Sequence, residues 1–281
     1  MVPPTSPCLP ALTVPPEAYD EAYYRSACWG QVEWERSGGR EMAAIYPGAL
    51  QAAQAQSGEV LVDIGAGRGE LLVAAAQDGL EAIGVEYSEA AVALAELTLE
   101  QHGRPAGARM IRADSRAIPL PDCTADLVKM LDVIEHLNVP EQLATLREAR
   151  RILRPGGRVL IHTMPNRLVY DITYRLQRRL RPRRRSAWPR DPRVDYEHVM
   201  HVGEQTVFSL RRRLRAAGFV EVDVSHGEWV HTEFVPDDAA RSIYHRLAAH
   251  RLTAPLGCGD LWGRARRSTR ASRSGTALSS A

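Results

Sequence analysis

The run Gly58-Glu-Val-Leu-Val-Asp-Ile-Gly65-Ala-Gly67-Arg-Gly69-Glu70 constrains the fold more than any other stretch of the chain. Its apolar part reads as a short buried strand. Its glycines then permit a sharp turn and a close approach of backbone to a ligand. Leu71, Leu72, Ala75 and Ala76 follow at the spacing of one helix face. Strand, glycine turn and helix in that order open a parallel α/β unit, and the rhythm recurs. Ala82-Ile-Gly-Val-Glu86, Arg109-Met-Ile-Arg-Ala-Asp114, Asp126-Leu-Val-Lys-Met-Leu131 and Val159-Leu-Ile-His-Thr163 read as further strands. Ser88 is a natural N-cap for a helix reaching about residue 102, and a helix over 140–153 stops at Arg154-Pro-Gly-Gly157. This alternation predicts an α/β, doubly wound, mostly parallel sheet with helices on both faces.

Residues 165–202 break the rhythm and read as an insertion after strand five. A helix over 203–217, a strand over 219–225, a seventh strand near 229–235 and a helix over 237–250 complete a domain spanning 58–253. Upstream, Tyr19, Tyr23, Tyr24, Trp29, Trp34 and Tyr46 stand among charged residues. They predict an N-terminal helical lid over 17–57, or helices that merely pack on the domain. Residues 1–16 hold six prolines and no basic residue, which reads as a flexible leader and not as a secretory signal. Residues 254–281 end rich in Ser, Arg and Gly, and a largely disordered tail is expected there.

No apolar run reaches the roughly 20 residues of a membrane-spanning helix. The four cysteines (Cys8, Cys28, Cys123, Cys258) are scattered without paired spacing, which argues against disulfides and zinc fingers and for a cytoplasmic location. Net charge is only +2, yet Lys129 is the only lysine among 36 basic residues. Arginine excess of this kind is a property of the whole chain, so no arginine is functional on frequency alone.

Open α/β sheets bind ligands at the carboxyl ends of their strands, where strand order reverses. The candidates are therefore Asp63, Gly65, Ala66 and Gly67 after strand one, Glu86 and Tyr87 after strand two, Asp114 and Ser115 after strand three, and Leu131 on strand four. A dinucleotide fingerprint is G-x-G-x-x-G, whereas this turn reads G-x-G-x-G with Asp63 two residues ahead. Glu86 lies 21 residues beyond Gly65, where an acid accepts ribose hydroxyls of either kind of cofactor.

The ordered series VLVDIGAGRGE, GVEYS, RADSRAIPLPD, ADLVKMLDVIEHL and LREARRILRPGGRVLIHTMPN resembles the successive signatures of class I S-adenosylmethionine-dependent methyltransferases. It is most similar to the small-molecule group that includes the ubiquinone-pathway O-methyltransferases. The resemblance covers residues 58–166, with a weaker echo in SLRRRLRAAGF near 209–219. It implies S-adenosylmethionine as cofactor, with Asp63, Gly65 and Gly67 at its methionine end, Glu86 on the ribose and Asp114 at the adenine.

In such a reaction the cofactor brings an electrophilic methyl group, and the protein aligns the acceptor and excludes water. A hydroxyl acceptor must also lose a proton, to a general base or through a metal that acidifies it. Asp132-Val-Ile-Glu135-His136 is placed for this task. Its D-x-x-E-H spacing is similar to the one that holds a divalent metal in ubiquinone-pathway O-methyltransferases. It also resembles the E-x-x-E-H of small-RNA 3′-end 2′-O-methyltransferases, which use a further downstream histidine. His198 or His201 in Asp195-Tyr-Glu-His-Val-Met-His201 would supply that histidine. Two roles stay open: His136 as acceptor base with Asp132 and His198 nearby, or Asp132, Glu135, His136 and His198 as ligands of Mg²⁺ or another divalent cation. Metal-free relatives keep an E-H pair here to cap a helix or orient the acceptor. His162, inside a strand, reads as a core histidine.

The expected activity is methyl transfer to a small organic acceptor, foremost a hydroxyl of a natural product, sugar or quinone-like molecule. The alternatives are metal-dependent 2′-O-methylation of RNA and a non-catalytic relative that only binds the cofactor. Ten arginines lie in 167–193, and 169–180 has the pattern of an amphipathic helix with a basic face. An anionic substrate, an acidic carrier protein or an anionic membrane surface would each suit that face, as would plain solvation. Nucleic acid is not expected, because stacking aromatics and a known RNA-binding module are missing. A monomer and a homodimer both fit this reading.

Overall fold

The structure is a computed structural model that describes residues 9–269 except 29, 42, 44, 182–187, 231, 233 and 234. Trp29, Arg183, Arg184, Arg185, the first half of the leader and the end of the tail lie outside the described residues.

Seven strands form one sheet: β1 (Val60–Ile64), β2 (Glu81–Glu86), β3 (Ala108–Arg112), β4 (Ala125–Leu131), β5 (Leu153–Thr163), β6 (Val220–His226) and β7 (Leu261–Arg266). Their order is β3-β2-β1-β4-β5-β7-β6. The first five run parallel, and β7 lies antiparallel between β5 and β6. Strand order reverses between β1 and β4, which puts a crevice at their carboxyl ends.

The central strands are buried on both faces, as parallel strands covered by helices must be. Val62, Ile64, Val128, Met130 and Ile161 pack toward one layer, with Ile134, Leu146, Leu210 and Leu214. Leu61, Leu127 and Leu160 pack toward the other, with Leu71, Leu72 and Leu99. Each such side chain contributes roughly 1.5–3 kcal/mol by leaving water. The helices are α4 (Glu70–Gln77), α5 (Glu89–Gln101), α6 (Val139–Ile152) and α9 (Val207–Ala216), with α10 (Asp238–Ala248) packed beside the insertion. The Ser88 cap forms as expected, its hydroxyl accepting from Ala91 N at 3.2 Å. Asn138 and Glu141 close a capping box on α6.

The seventh strand is a correction. The expected strand near 229–235 does not form among the described residues. Leu261–Arg266 takes its place, inside the segment assigned to a disordered tail. Leu261, Gly263 and Ala265 are buried on one face while Trp262, Arg264 and Arg266 alternate onto the other, a period-two pattern hidden by the arginine-rich composition. The leader is also more structured than expected. Val14 is buried, Thr13 N donates to Glu141 Oε1 at 2.7 Å, and Arg116 donates to the Pro10 carbonyl.

The lid is present as α1 (Glu21–Ser26), α2 (Gln31–Ser37) and α3 (Ile45–Ala52). Tyr24 and Trp34 pack on Ala91 and Leu94 of α5, and Trp34 Nε1 donates to Thr98 Oγ1 at 2.8 Å. In the insertion, a wide helical turn over Val169–Tyr174 runs into α7 (Arg175–Leu180), and α8 spans Asp195–Met200. Its amphipathic sense differs from expectation. Val169, Tyr170 and Tyr174 pack on Trp188 and Tyr244, leaving Ile172, Leu176 and Leu180 outward at 47, 54 and 69 % exposure. No helix among the described residues is long and apolar enough to cross a membrane.

Candidate active site

A cavity of about 170 Å³ opens at the crevice between β1 and β4, roofed by the lid. Asp63, Gly65, Ala66, Gly67, Glu86, Tyr87, Ser115 and Leu131, all candidates from the sequence, line it.

Gly65 shows why the turn after β1 is glycine. Its φ is +75°, and a Cβ there would come 2.4 Å from Val133 Cγ2. Gly65→Ala would thus strain the backbone and push the segment after β4 out of place. The expected result is a loss of cofactor affinity of at least tenfold in a calorimetric titration, with a melting temperature lower by several degrees.

Glu86 is 4 % exposed and ties the turn after β1 to the end of β2. Its Oε1 accepts from Tyr87 N (2.8 Å) and Ser88 N (3.0 Å), and its Oε2 from Gly67 N (3.2 Å). A carboxylate has about four acceptor positions, so one on Oε2 is left for a ribose hydroxyl. Burial pushes Glu86 upward in pKa, and the three backbone donors oppose it. Asp63 lies beside Lys129, its register partner on β4. Both are buried, and the Lys129 ammonium has no hydrogen-bond partner. Burial pushes Asp63 up and Lys129 down, while the attraction between them restores part of each charge. The chain's single lysine is thus the counter-charge beneath the carboxylate expected to meet the cofactor's cationic end.

Asp114 is not brought into this site. Arg116, two residues on, takes both its carboxylate oxygens at 2.7–3.1 Å, and Asp114 does not line the cavity. Ser115 does, bonded to Thr145 Oγ1 at 2.8 Å.

The gap after β4 holds Asp132, Glu135 and His136, all lining the cavity. Nδ1 of His136 is 2.8 Å from the Tyr19 hydroxyl of the lid. Burial and the neighbouring His201 hold His136 well below the ordinary histidine range, against a bond to the Met200 backbone. The ring is therefore neutral at physiological pH. With the Met200 carbonyl accepting its N–H, Nδ1 carries the lone pair and receives the Tyr19 proton. Burial pushes Tyr19 above its usual value, so the phenol keeps that proton.

His198 is a correction. It is exposed on α8, while Glu197, Met200 and His201 turn inward. Glu197 shares a face with Met200 and His201, and His198, one residue on from Glu197, is turned about 100° around the helix toward solvent. His201 packs edge-on against His136 with ring centroids 4.7 Å apart, and burial brings it down to about 4. The candidate ligand atoms of Glu135, His136 and His201 lie within 4.8 Å of one another. Asp132 is not in that group, because its Oδ1 lies 2.7 Å from Nδ1 of His162.

Six of the nine tyrosines line the cavity: Tyr19, Tyr23, Tyr24, Tyr46, Tyr87 and Tyr196. Among the described residues its one arginine is Arg68, fully buried and already occupied by Glu70 (3.1 Å) and the Tyr24 carbonyl (2.5 Å). Sequence reasoning named the lid tyrosines but missed Arg68, Tyr196 and the bond from Tyr19 to His136. Arg68 stood in the glycine turn as a visible signal, an arginine where the backbone must pass close to a ligand.

Comparison with known proteins agrees with this geometry. Residues 62–161 match the family described as "Methyltransferase domain". The chain is 27% identical over 183 residues to the ubiquinone biosynthesis O-methyltransferase of Pseudomonas paraeruginosa, covering 59% of this chain and 76% of that one. Its counterpart in Stutzerimonas stutzeri is 30% identical over 151 residues, covering 48% and 64%. Among solved structures, the [4+2]-cyclase SpnF superposes with a TM-score of 0.57 at 19% identity, covering 87% of this chain and 86% of that one. Haemonchus contortus phosphoethanolamine N-methyltransferase 2, in complex with S-adenosyl-L-methionine, does so with 0.57 at 16% identity, covering 88% and 60%. At those identities the two structures share the fold.

Proposed function

We propose that this chain, a class I S-adenosylmethionine-dependent methyltransferase, methylates a hydroxyl of a small, largely uncharged, aromatic or quinone-like acceptor. The observation that carries this reading is a buried His136, hydrogen-bonded to Tyr19, in a cavity that tyrosines wall and whose one arginine among the described residues is ion-paired to Glu70. Tyrosine rings offer flat apolar faces and hydroxyl tips, which suit a phenol-like ring better than a fully hydrated sugar.

The cofactor fits the residues present. Glu86 keeps an acceptor position for the ribose, Gly65 and Gly67 leave room for close approach, and Asp63 faces a cation. The bound cofactor supplies the electrophilic methyl group. The chain supplies the rest. His136 Nδ1 accepts the acceptor's hydroxyl proton once that hydroxyl replaces or relays through Tyr19. Tyr19 and Tyr23 exclude water from above. The cavity is below the roughly 300 Å³ of ordinary ligand sites, so the lid must shift outward to load it. The outward stripe of Ile172, Leu176 and Leu180 beside Arg175 and Arg179 suits an acceptor delivered on an anionic surface. The free cysteines Cys28, Cys123 and Cys258 suit the reducing cytoplasm.

A second reading has its own support. Glu135 Oε1 and His201 Nδ1 are buried without hydrogen-bond partners, next to His136. One carboxylate and two imidazoles would hold a divalent transition metal better than Mg²⁺. Such a metal would acidify the acceptor hydroxyl in place of the base.

Calorimetric titration with S-adenosylhomocysteine, with and without EDTA, tests the cofactor, and radiolabelled methyl transfer to panels of phenols, hydroquinones and neutral sugars tests the acceptor. Saturable micromolar binding and labelling of phenols or hydroquinones are expected. Absence of binding would overturn the cofactor assignment, and preferential labelling of sugars the acceptor class. Turnover abolished by EDTA and restored by Zn²⁺ or Mn²⁺ would select the metal over His136 as base.

A further inference from the structure

His162 is joined to two carboxylates from distant parts of the chain. Its Nδ1 lies 2.7 Å from Asp132 Oδ1, and its Nε2 lies 3.3 Å from Asp260 Oδ2. The imidazole and Asp260 are almost wholly buried, whereas Asp132 reaches the cavity. Asp260 is itself pinned, accepting from Trp262 Nε1 at 3.2 Å and Trp229 N at 3.1 Å. Trp262 also packs on the His162 ring with centroids 4.6 Å apart, as a cation attracts an aromatic face. A carboxylate oxygen faces each ring nitrogen, an arrangement that favours the doubly protonated imidazolium.

Asp132 has a φ of +51°, in the left-handed region that non-glycine residues seldom occupy, although Asp, Asn and His do so more often than the rest. Strain of this kind persists only where the surroundings over-determine it, and it collects at functional sites. Here the Asp132 amide donates to the His162 carbonyl at 3.1 Å while its carboxylate meets the His162 ring. One residue thus holds both ends of Asp132.

We propose that His162 is a positioning residue that, braced by Asp260, fixes the Asp132 carboxylate against the cavity, where it distinguishes the sulfonium of S-adenosylmethionine from the neutral thioether of S-adenosylhomocysteine. Asp132 directly follows β4, at the strand-order reversal, where the cofactor's reactive end passes. A fixed negative charge there attracts the charged cofactor and not the spent one, which favours release of product. The inference rests on the cofactor assignment above and is independent of the acceptor.

Burial opposes charge on His162, but the Asp132 charge and the hydrogen bonds to Asp132 and Asp260 outweigh it, raising it to about 10. The groups facing it are Asp132 and Glu135 after β4, Asp260 and Trp262 at β7, and His226 beyond Asp260. A histidine raised in the folded state stabilises fully below about 6.5 and loses that contribution as pH climbs toward 10.

The test is to measure dissociation constants for S-adenosylmethionine and S-adenosylhomocysteine with the full chain and with His162→Gln, His162→Phe and Asp260→Asn, alongside ¹⁵N NMR of the ring at pH 7–9. The wild-type chain should favour S-adenosylmethionine, with both ring nitrogens protonated. The preference should fall about tenfold in His162→Phe and less in His162→Gln, while S-adenosylhomocysteine affinity changes less than threefold. In Asp260→Asn the ring should titrate at lower pH. An unchanged or increased preference in folded His162 variants, or a neutral wild-type ring at pH 7, would overturn the proposal. Wild-type chain that bound neither ligand would instead defeat the cofactor assignment.

Discussion

His136→Ala lowers the rate of methyl transfer by about two to four orders of magnitude, the usual contribution of a positioned general base. Cofactor affinity is expected to change by less than about threefold, because the ring lies beyond the residues proposed to hold the nucleoside. The contrast follows from where the ring sits. It closes on the lid through Tyr19 and on His201, while Glu86 and Asp63 hold the other end of the cavity. Single-turnover rates and calorimetric affinities on the same preparation separate the two effects. Equal losses in both would make His136 a packing residue, and the bond to Tyr19 would then be a lid latch and nothing more. The pH dependence has a definite sign. Burial lowers the histidine, so the base stays unprotonated well below pH 6.5 and the acid limb of the turnover profile is displaced toward low pH.

Glu86→Ala has its largest effect on the cofactor. Removing the carboxylate deletes the acceptor proposed for the ribose and frees the amides of Gly67, Tyr87 and Ser88 in a buried place. Hydrogen bonds to a charged group are each worth about 1.5–3 kcal/mol, so affinity for S-adenosylhomocysteine should fall roughly ten- to a hundredfold. Glu86→Gln keeps the shape and loses the charge, and an intermediate loss is expected. Calorimetry of the three proteins decides the matter, and unchanged affinity in Glu86→Ala would move the nucleoside elsewhere.

The part of the cavity lining that follows β1 and β2 is largely legible in the sequence because its geometry is local. A strand end, a glycine turn and an acid at the next strand end are fixed by a few consecutive residues and one parallel register. Asp114 escaped that logic because Arg116 captures it from two positions away, a side-chain contest that strand pattern does not encode. His198 and His201 were separated only by the phase of α8, which depends on where the helix starts. Leu261–Arg266 was read as tail because arginine-rich composition outweighed a short alternation. His162 was read as a core residue because its partners stand 30 and 98 positions away. The lone Lys129 was noticed, yet its role needed the register that sets it beside Asp63.

The place of β7 has a consequence for how the protein is made. It fills the gap between β5 and β6, yet the 98 residues from His162 to Asp260 must be synthesised before it can do so. At about 5–20 residues per second the ribosome takes roughly 5–20 s over that stretch. For that interval the nascent chain carries the free margin of β5, a template that foreign strands can join. The arginines at 264 and 266, which alternate along β7, put charge on the strand that closes the margin. Translation speed between the fifth strand and the seventh therefore bears on yield and on chaperone demand, apart from any effect on the finished enzyme.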